Sequence, residues 1–413
     1  MKKNQQIIII GGGAAGFFAA IRAAELNPTA KIMILERGRD VLGKVKVSGG
    51  GRCNVTHACF VPSELVKNYP RGAKELKGPF HKFCCGDTVD WFEKRGVPTK
   101  IEADGRMFPT SDRSQSIIDC LLEATHQLGI EVKTQHRVDE IIPPATDQGQ
   151  WQITANDEIL HADKLMLATG SNPKIWKMLS ELGHQIIPPV PSLFTFNIKD
   201  QRIDGLPGIS VPQAEVRVLG SKLSANGPLL ITHWGMSGPA ILKLSAWGAR
   251  ILAEQNYQFT IQVNWANDTE ENIREHLNEQ KISSPKKQIL GNPQMGLPIR
   301  LWQRMVEAAG ISSGQQWANL GKKQLNALVR EMGQSQYQVN GKSTFKEEFV
   351  TAGGIDLREV NFKTFGSKIL PNLYFAGEVL NIDAITGGFN FQAAWTGGWI
   401  AGESLSTPIE KIS

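Results

Sequence analysis

Four consecutive isoleucines, Ile7 to Ile10, run directly into the glycine-rich sequence GGGAAG. A continuous run of β-branched apolar residues is typical of a central parallel strand that is buried on both faces. Gly11, Gly13 and Gly16 match the GxGxxG pattern, and a helix is predicted over residues 14–26. In this pattern one glycine permits a tight turn, one lets the backbone approach a pyrophosphate, and one allows close packing of helix on strand. The stretch therefore predicts the start of a dinucleotide-binding βαβ unit.

A second apolar run, 31–35, ends on Glu36, twenty residues after Gly16. A carboxylate at the end of the second strand accepts hydrogen bonds from both ribose hydroxyls and disfavours a 2′-phosphate. A glycine-rich structural turn would by itself account for the glycines. Because strand, glycine motif, helix, second strand and acidic tip occur in the expected order, the dinucleotide interpretation is favoured.

The next segment, GKVKVSGGGRCN at 43–54, indicates which dinucleotide to expect. A simple nicotinamide-dependent dehydrogenase continues from its second strand into another helix and strand, whereas this chain makes a glycine-rich excursion that can wrap a longer cofactor. Two later stretches, KLML before Gly170 and LPNLYFAGE before Val379, are predicted as strands, and Gly388 opens an apolar helix. We interpret the two ends of the chain as one split flavin-binding domain.

The sequence closely resembles the HI0933-like family of FAD-dependent oxidoreductases, which includes YhiN-like, BaiN-like and aminoacetone-oxidase-like proteins. The resemblance rests on motifs at both ends and in the middle of the chain: GGGAAG (11–16), SGGGRCNVTH (48–57), DGRMFPTS (104–111), ATGSNP (168–173), THWGMSGPAIL (232–242), TAGGI (351–355) and SKILPNLYFAGEVLNIDAITGGFNFQAA (367–394). Ser171, Asn381 and Ala384 depart from the usual pattern, and Asn381 removes a carboxylate near the expected flavin ring.

We expect an α/β protein with a split Rossmann-like FAD-binding domain, whose parallel sheet has helices on both faces. Residues 1–190 and 350–413 are predicted to form this domain. The alternating β-like runs of 191–265 and 335–349 predict an inserted antiparallel β-barrel or sandwich, and 266–334 predict a small helical subdomain. The family is similarly built.

The residues predicted to bind FAD are the glycines, small residues and polar groups of these motifs. The turn that precedes the last helix is the candidate for stabilising the negative pyrimidine end of a reduced flavin, because a helix N-terminus carries partial positive charge. The complete set is Gly11, Gly13, Ala14, Ala15, Gly16, Glu36, Arg37, Lys44, Ser48, Gly49, Gly50, Arg52, Cys53, Asn54, Val138, Ala168, Thr169, Gly170, Gly377, Glu378, Gly388, Asn390 and Phe391.

His233 is the candidate proton donor or acceptor, since its ordinary pKa lies near neutrality; fixing a turn is the alternative role. Cys53 and Cys59 have five intervening residues, and no second GxGxxG unit follows ATGSNP, so a flavin disulfide reductase is disfavoured. We expect Cys53 to pack near the flavin and the adjacent Cys84 and Cys85 to be inert. The cysteine spacing supports neither a metal site nor a disulfide framework.

The predicted function is hydride transfer between a small or medium organic substrate and flavin N5. We expect NAD(P)H as a transient electron donor rather than an oxidase reaction, with amine-type oxidation by oxygen and flavin-dependent RNA modification as alternatives. Lys and Arg total 45 against 40 Asp and Glu, and these charges are scattered, so nucleic acid is expected to be an unlikely partner. With no membrane-length apolar run and no signal peptide recognised, we expect a cytoplasmic protein.

Overall fold

The computed structural model describes residues 4–146, 149–343 and 350–408. Its strands are β1 (Gln6–Ile10), β2 (Lys31–Leu35), β3 (Thr56–His57), β4 (Thr99–Ile101), β5 (Arg106–Pro109), β6 (Glu131–Lys133), β7 (Val138–Ile142), β8 (Trp151–Ala155), β9 (Glu158–Ala162), β10 (Lys164–Leu167), β11 (Ile186–Ser192), β12 (Thr195–Ile198), β13 (Ser210–Val218), β14 (Ser224–Ile231), β15 (Gly235–Ser237), β16 (Gln258–Asn264), β17 (Ser335–Ser343), β18 (Val350–Ile355), β19 (Val360–Asn361), β20 (Gly366–Ser367) and β21 (Leu373–Phe375). Its α-helices are α1 (Ala14–Leu26), α2 (Gly43–Gly51), α3 (Pro62–Leu65), α4 (Ala73–Phe80), α5 (Cys85–Glu93), α6 (Ser114–Gln127), α7 (Pro173–Glu181), α8 (Pro239–Glu254), α9 (Glu270–Ser283), α10 (Ile299–Ala308), α11 (Lys322–Gly333) and α12 (Phe389–Ser406).

The isoleucine run forms β1, near the middle of a seven-stranded sheet with the order β19-β20-β21-β10-β1-β2-β6. β1 pairs in parallel with β10 and β2, β10 pairs in parallel with β21, and β2 with β6. Ile7 to Ile10 are buried, which confirms the predicted central strand. Since parallel strands end at the same edge of a sheet, the residues that follow β1, β2, β10 and β21 are brought to one edge.

Helices α1 and α12 join the two ends of the chain and pack very closely. A Cβ atom at Gly398 would lie 2.7 Å from the carbonyl oxygen of Ala15, and one at Gly402 would lie 2.7 Å from that of Ala19. Both positions therefore need glycine to let the helices approach. This contact explains why both helices are rich in small residues.

The chain divides into two compact units, residues 1–190 with 346–413, and residues 191–345. In the second unit β12-β15-β14-β13-β16-β17 close into an antiparallel barrel, and this unit also contains α8 to α11. The predicted fold class, a parallel Rossmann-like sheet with an inserted antiparallel barrel, is confirmed. The separate helical subdomain at 266–334 stays a prediction, and its neighbouring stretch 344–349 lies outside the described residues.

Residues 131–142 contribute β6 to the parallel sheet and β7 to a separate sheet with β8 and β9. The N-cap of α9 is Thr269, whose hydroxyl accepts from the Asn272 N–H at 3.2 Å. No helix within the described ranges is long and apolar enough to cross a membrane.

Candidate functional site

The turn after β1 gives its glycines three different environments. Gly11 has φ +115°, and a Cβ atom there would lie 2.3 Å from the carbonyl oxygen of Ala168. A Cβ atom at Gly16 would lie 2.1 Å from the carbonyl oxygen of Gly11, so helix and turn touch. At Gly13 a Cβ atom would have no described atom within 4 Å. This open position at the start of α1, beside Ala14 and the buried Ala15, is where a pyrophosphate can approach the backbone.

Glu36 follows β2 and is half-buried at the same edge of the sheet. Its Oε2 accepts the Gly12 N–H at 2.9 Å and its Oε1 accepts the Gly38 N–H at 2.7 Å, so the carboxylate is oriented by the backbone on both sides. Arg37, beside it, is exposed. A carboxylate oxygen can accept a further bond, so Glu36 keeps capacity for ribose hydroxyls.

Residues 134–138 lie next to Glu36 at the end of β2. The His136 N–H donates to the carbonyl oxygen of Glu36 at 2.8 Å, and the Gln135 N–H donates to that of Gly38 at 2.8 Å. Val138, the first residue of β7, is buried just beyond. This placement agrees with the predicted role of its backbone beside an adenine, which stays a prediction.

A buried polar atom without a partner lies at the end of β10. The Ala168 N–H donates to the Ile10 carbonyl oxygen at 2.8 Å, which places Thr169 and Gly170 directly beside the β1 turn. The Thr169 hydroxyl is buried and has no hydrogen-bond partner among the described residues. Since buried polar groups are nearly always paired, this hydroxyl is available to a polar group of a ligand at the end of β10.

Two predicted residues on the glycine-rich loop, Lys44 and Arg52, form ion pairs with other residues of the protein. Lys44 forms an ion pair with Glu378, which follows Gly377 after β21. The Arg52 guanidinium binds Glu102 at 2.6 Å and lies 4.0 Å from the Phe108 ring centre. Arg52 is thus held by a carboxylate, and its contact with FAD stays a prediction.

The glycine-rich loop has an irregular backbone that the sequence pattern anticipated. Ser48 is extended inside α2, while Gly49 and Gly50 have φ of 58° and 68°. Cys53 after this loop is fully buried, and desolvation raises the pKa of its thiol to about 12. A thiol so rarely ionised is a poor nucleophile, which agrees with the packing role predicted for it.

We call residues 387–391, where α12 begins, the α12 turn. Gly388 has φ +90°, and a Cβ atom there would lie 2.5 Å from the Thr56 carbonyl oxygen. With its amide oriented to satisfy both partners, Asn54 accepts from the Gly388 N–H and donates to the Thr56 carbonyl oxygen, each at 3.0 Å. His57 Nδ1 lies 3.1 Å from the carbonyl oxygen of Gly387. The loop after β2 therefore fixes the start of the last helix.

The Asn390 and Phe391 side chains contact neighbouring residues of the protein, while the first backbone N–H groups of α12 have no acceptor among the described residues. Asn390 accepts from the Ala384 N–H at 2.9 Å and donates to the Ala384 carbonyl oxygen at 3.2 Å, and Phe391 stacks on Trp395. In the described part of the chain, no acceptor contacts the N–H groups of Phe389, Asn390 and Phe391. These donors at the positive end of an 18-residue helix can stabilise an anion.

A buried polar network behind the α12 turn was missed from the sequence. The Thr56 hydroxyl donates to Gln392 Oε1 at 2.6 Å, the Thr88 hydroxyl donates to the same oxygen at 2.9 Å, and Gln392 Nε2 donates to Thr396 at 3.1 Å. The sequence gives one indication of this network, because Gln392 and Thr396 are polar residues in the largely apolar helix α12. The carbonyl oxygen of Phe389 is also held, by the Tyr69 hydroxyl at 2.6 Å.

His233 belongs to the other unit, in the turn between β14 and β15, and is exposed. The turn is fixed, because the Ile198 N–H donates to the Trp234 carbonyl oxygen at 2.9 Å and the Thr232 hydroxyl accepts from the Trp234 N–H at 3.3 Å. Its catalytic role stays a prediction. Within the first unit, His57 is the histidine that contacts the α12 turn.

The chain matches the HI0933-like protein Rossmann domain over residues 5–404. The chain belongs to the HI0933-like family of FAD-dependent oxidoreductases. It is similar to a ribosomal RNA dihydrouridine synthase of Escherichia coli K12, with 28% identity over 94% of this chain and 95% of that protein. It is also similar to a 3-dehydro-bile acid delta(4,6)-reductase of Clostridium scindens, with 27% identity over 95% of this chain and 96% of that protein.

Among solved structures, this HI0933-like protein is similar to a 3-ketosteroid-delta4-(5alpha)-dehydrogenase from Rhodococcus jostii RHA1. The TM-score is 0.52 with 14% identity, over 99% of this chain and 98% of that one, which supports the fold alone. The sequence-based expectation that nucleic acid is an unlikely partner is not supported, because one of the relatives above is named for modifying RNA.

The described residues fit FAD, the cofactor of the HI0933-like family. Space at Gly13 suits the pyrophosphate, Glu36 suits a ribose, and the unpartnered Thr169 hydroxyl needs a polar partner. The free N–H groups of the α12 turn suit an electron-rich ring end. These groups share one unit and the edge where the parallel strands end.

Proposed function

We propose that this protein is an FAD-dependent reductase that saturates a carbon–carbon double bond conjugated to a carbonyl group, with NAD(P)H as the electron source. The observation that carries the proposal is the α12 turn, whose free N–H groups at a helix N-terminus favour the negative charge of a reduced flavin. Bound FAD would supply hydride transfer at N5.

The names of the relatives support the reaction type. Conversion of uridine to dihydrouridine and reduction at the delta-4 position of a 3-keto steroid both add hydrogen to a ring double bond conjugated to a carbonyl group. One active-site chemistry can therefore serve two very different substrates, with the surrounding surface deciding which one binds.

The chain's own residues would hold the cofactor and disfavour thiol chemistry beside it. Asn54, Tyr69 and His57 fix the backbone of the α12 turn, so its donors need no rearrangement when charge develops. The thiol of Cys53 stays protonated at neutral pH because burial raises its pKa, which disfavours thiol exchange. Since the sequence contains one GxGxxG unit, NAD(P)H and substrate would use one site in turn, which predicts ping-pong kinetics.

His233 is proposed to give the proton that completes reduction of the double bond. The test separates the two half-reactions by stopped flow. His233→Asn should leave the rate of flavin bleaching by NAD(P)H unchanged and slow reoxidation by substrate at least 10-fold, within the range for general acid catalysis. If both half-reactions were slowed equally, or if both rates were unchanged, this role would be contradicted. Trp234→Phe, at the next position of the same turn, is the matched control.

Uridine in ribosomal RNA is the substrate class to test first, because one specific observation favours it. Residues 191–345 contain 16 Lys and Arg against 11 Asp and Glu, whereas the rest of the chain contains 29 of each. The excess positive charge thus lies entirely on the second unit, which suits phosphate contacts. Incubation of reduced enzyme with unmodified ribosomal RNA should yield dihydrouridine by mass spectrometry. Turnover of only a keto-steroid enone would assign the other substrate class.

A further inference from the structure

The positive charge of the second unit is concentrated in one stretch of the chain, residues 281–330. This stretch contains eight Lys and Arg and a single acidic residue, Glu307, whereas the rest of 191–345 contains eight basic and ten acidic residues. The charges of this stretch are therefore not scattered, in contrast to the expectation for the chain as a whole. A basic surface separated from acidic residues is the electrostatic footprint of a protein that binds a polyanion.

Two segments of this stretch that carry lysines are hydrogen-bonded to each other. The Trp317 N–H, in the turn before α11, donates to the Lys287 carbonyl oxygen at 3.1 Å. Lys281, in the last turn of α9, donates through Nζ to the Leu320 carbonyl oxygen at 2.7 Å. The start of α11 is thereby held beside the end of α9 and the residues that follow it. We call the four exposed lysines of these segments the lysine patch: Lys286, Lys287, Lys322 and Lys323.

The lysine patch is available to an anionic ligand. None of its four ammonium groups forms an ion pair with another described residue, and the one acid of the stretch, Glu307, pairs with Arg304 at 3.5 Å. Lys322 and Lys323 also lie in the first turn of α11, where a cation opposes the helix dipole and lowers helix stability. These two lysines therefore do not serve the helix that carries them, which indicates a role in binding.

The remaining surface of the stretch decides which polyanion fits. Its two aromatic residues, Trp302 and Trp317, are completely buried, so it presents no ring on which an unpaired base can stack. In this fully described stretch only Ile282 and Ile299 are large apolar residues with exposed side chains, too few for a face that enters a membrane. Positive charge without stacking groups suits the phosphates of base-paired RNA.

We propose that the lysine patch anchors base-paired ribosomal RNA by its phosphates, at a surface outside the unit that binds the cofactor. This inference rests on the proposed use of ribosomal RNA as the substrate. Each lysine that neutralises a phosphate releases a counterion, so log K falls with log salt by about 0.9 per contact on a duplex and about 0.7 on a single strand. Four such contacts contribute about 3–4 to the slope.

The test measures the binding of a fluorescently labelled hairpin of unmodified ribosomal RNA to oxidised, FAD-loaded full-length protein, without NAD(P)H. Fluorescence anisotropy gives the association constant between about 50 and 200 mM KCl. In the variant Lys286→Gln/Lys287→Gln/Lys322→Gln/Lys323→Gln, the slope should fall by about 3–4, and the affinity at the lowest salt should fall at least about 10-fold. The matched control replaces four exposed lysines elsewhere by Gln and should lower the slope by less than about 1: Lys74, Lys77, Lys222 and Lys243.

Thermal unfolding and the flavin absorption band show that each variant is folded and loaded with FAD. An unchanged slope in the patch variant, an equal fall in the control, or tighter binding of an unpaired oligonucleotide of the same length would overturn the proposal. Loss of binding to phosphatidylserine vesicles, rather than to the hairpin, would assign the lysines to a membrane surface and also overturn it.

Failure of this inference is distinct from failure of the proposed function. An unchanged slope in a variant that still forms dihydrouridine would reject the lysine patch and leave the RNA substrate in place. Intact RNA binding without flavin bleaching by NAD(P)H would contradict the reductase and not the lysine patch. Absence of salt-dependent RNA binding by the wild type would contradict both the RNA substrate and the lysine patch.

Discussion

Alanine substitutions at Gly13 and Gly11 should separate cofactor binding from folding. Gly13 has φ −98° and ψ −172°, an ordinary extended conformation, and a methyl group there would touch no described atom. Gly13→Ala should therefore leave the apoprotein melting temperature within about 1 °C of the wild type, because it adds neither strain nor overlap. The methyl group would occupy the space in which a pyrophosphate meets the backbone.

The expected losses of FAD affinity and of stability follow from the surroundings of Gly13 and Gly11. Loss of one charge-assisted hydrogen bond costs about 1.5–3 kcal/mol, so Gly13→Ala should weaken FAD binding about 10- to 150-fold. Gly11→Ala instead places a residue at φ +115° with its Cβ atom 2.3 Å from the Ala168 carbonyl oxygen. The left-handed conformation costs about 1–2 kcal/mol and the overlap about 1–3 kcal/mol, which together are a large share of a domain's stability.

Two measurements on each variant are required. Thermal unfolding of the apoprotein reports the fold, and quenching of flavin fluorescence on titration with FAD reports the dissociation constant. The predicted pattern is an unchanged fold with weak FAD binding for Gly13→Ala, and a destabilised apoprotein for Gly11→Ala. Wild-type FAD affinity in a folded Gly13→Ala protein would refute the placement of the pyrophosphate at this turn.

Two further predictions concern His57 and Cys53. Burial lowers the pKa of His57, so the unfolded chain binds a proton more readily, and folding stability should fall as the pH drops below about 6.5 toward the folded-state pKa. His57→Gln should reduce this loss by up to about 1.4 kcal/mol per unit of pKa difference, measured as the free energy of unfolding between pH 7 and pH 5; an unchanged slope would contradict it. Cys53→Ala should retain flavin reduction by NAD(P)H within about 2-fold, because a thiol with a pKa near 12 takes no part in electron transfer. Loss of flavin reduction in a folded, FAD-loaded Cys53→Ala variant would instead show that Cys53 takes part in the redox reaction.

The first unit could be predicted where the determinants are local. The isoleucine run of β1, the spacing of Gly11, Gly13 and Gly16, and the position of Glu36 each depend on a strand, a turn or a helix start within a few residues. In the structure these residues lie at the edge where the parallel strands end, and their roles in binding a cofactor stay predictions. The barrel could be anticipated because its strands alternate in polarity, although a sandwich could not be distinguished from a closed barrel by this pattern.

The predictions were incomplete where distant parts of the chain meet. Thr56 binds Gln392, 336 positions away, and no local pattern indicates such a pair. Asn390 was selected as a cofactor residue, but its amide is used by Ala384, because the loop before α12 leaves backbone groups that need partners. The pairing of Arg52 with Glu102 likewise depends on a neighbour that folding brings close.

The most direct test of the proposed reductase is anaerobic titration of the FAD-loaded protein with NADH and with NADPH, followed by the flavin absorption band in the blue. We predict rapid, stoichiometric bleaching by at least one of the two nucleotides, and recovery of the band on addition of an acceptor with a conjugated double bond. Persistence of the band with both nucleotides, together with bleaching by an amine and recovery with oxygen, would contradict the reductase and identify an oxidase.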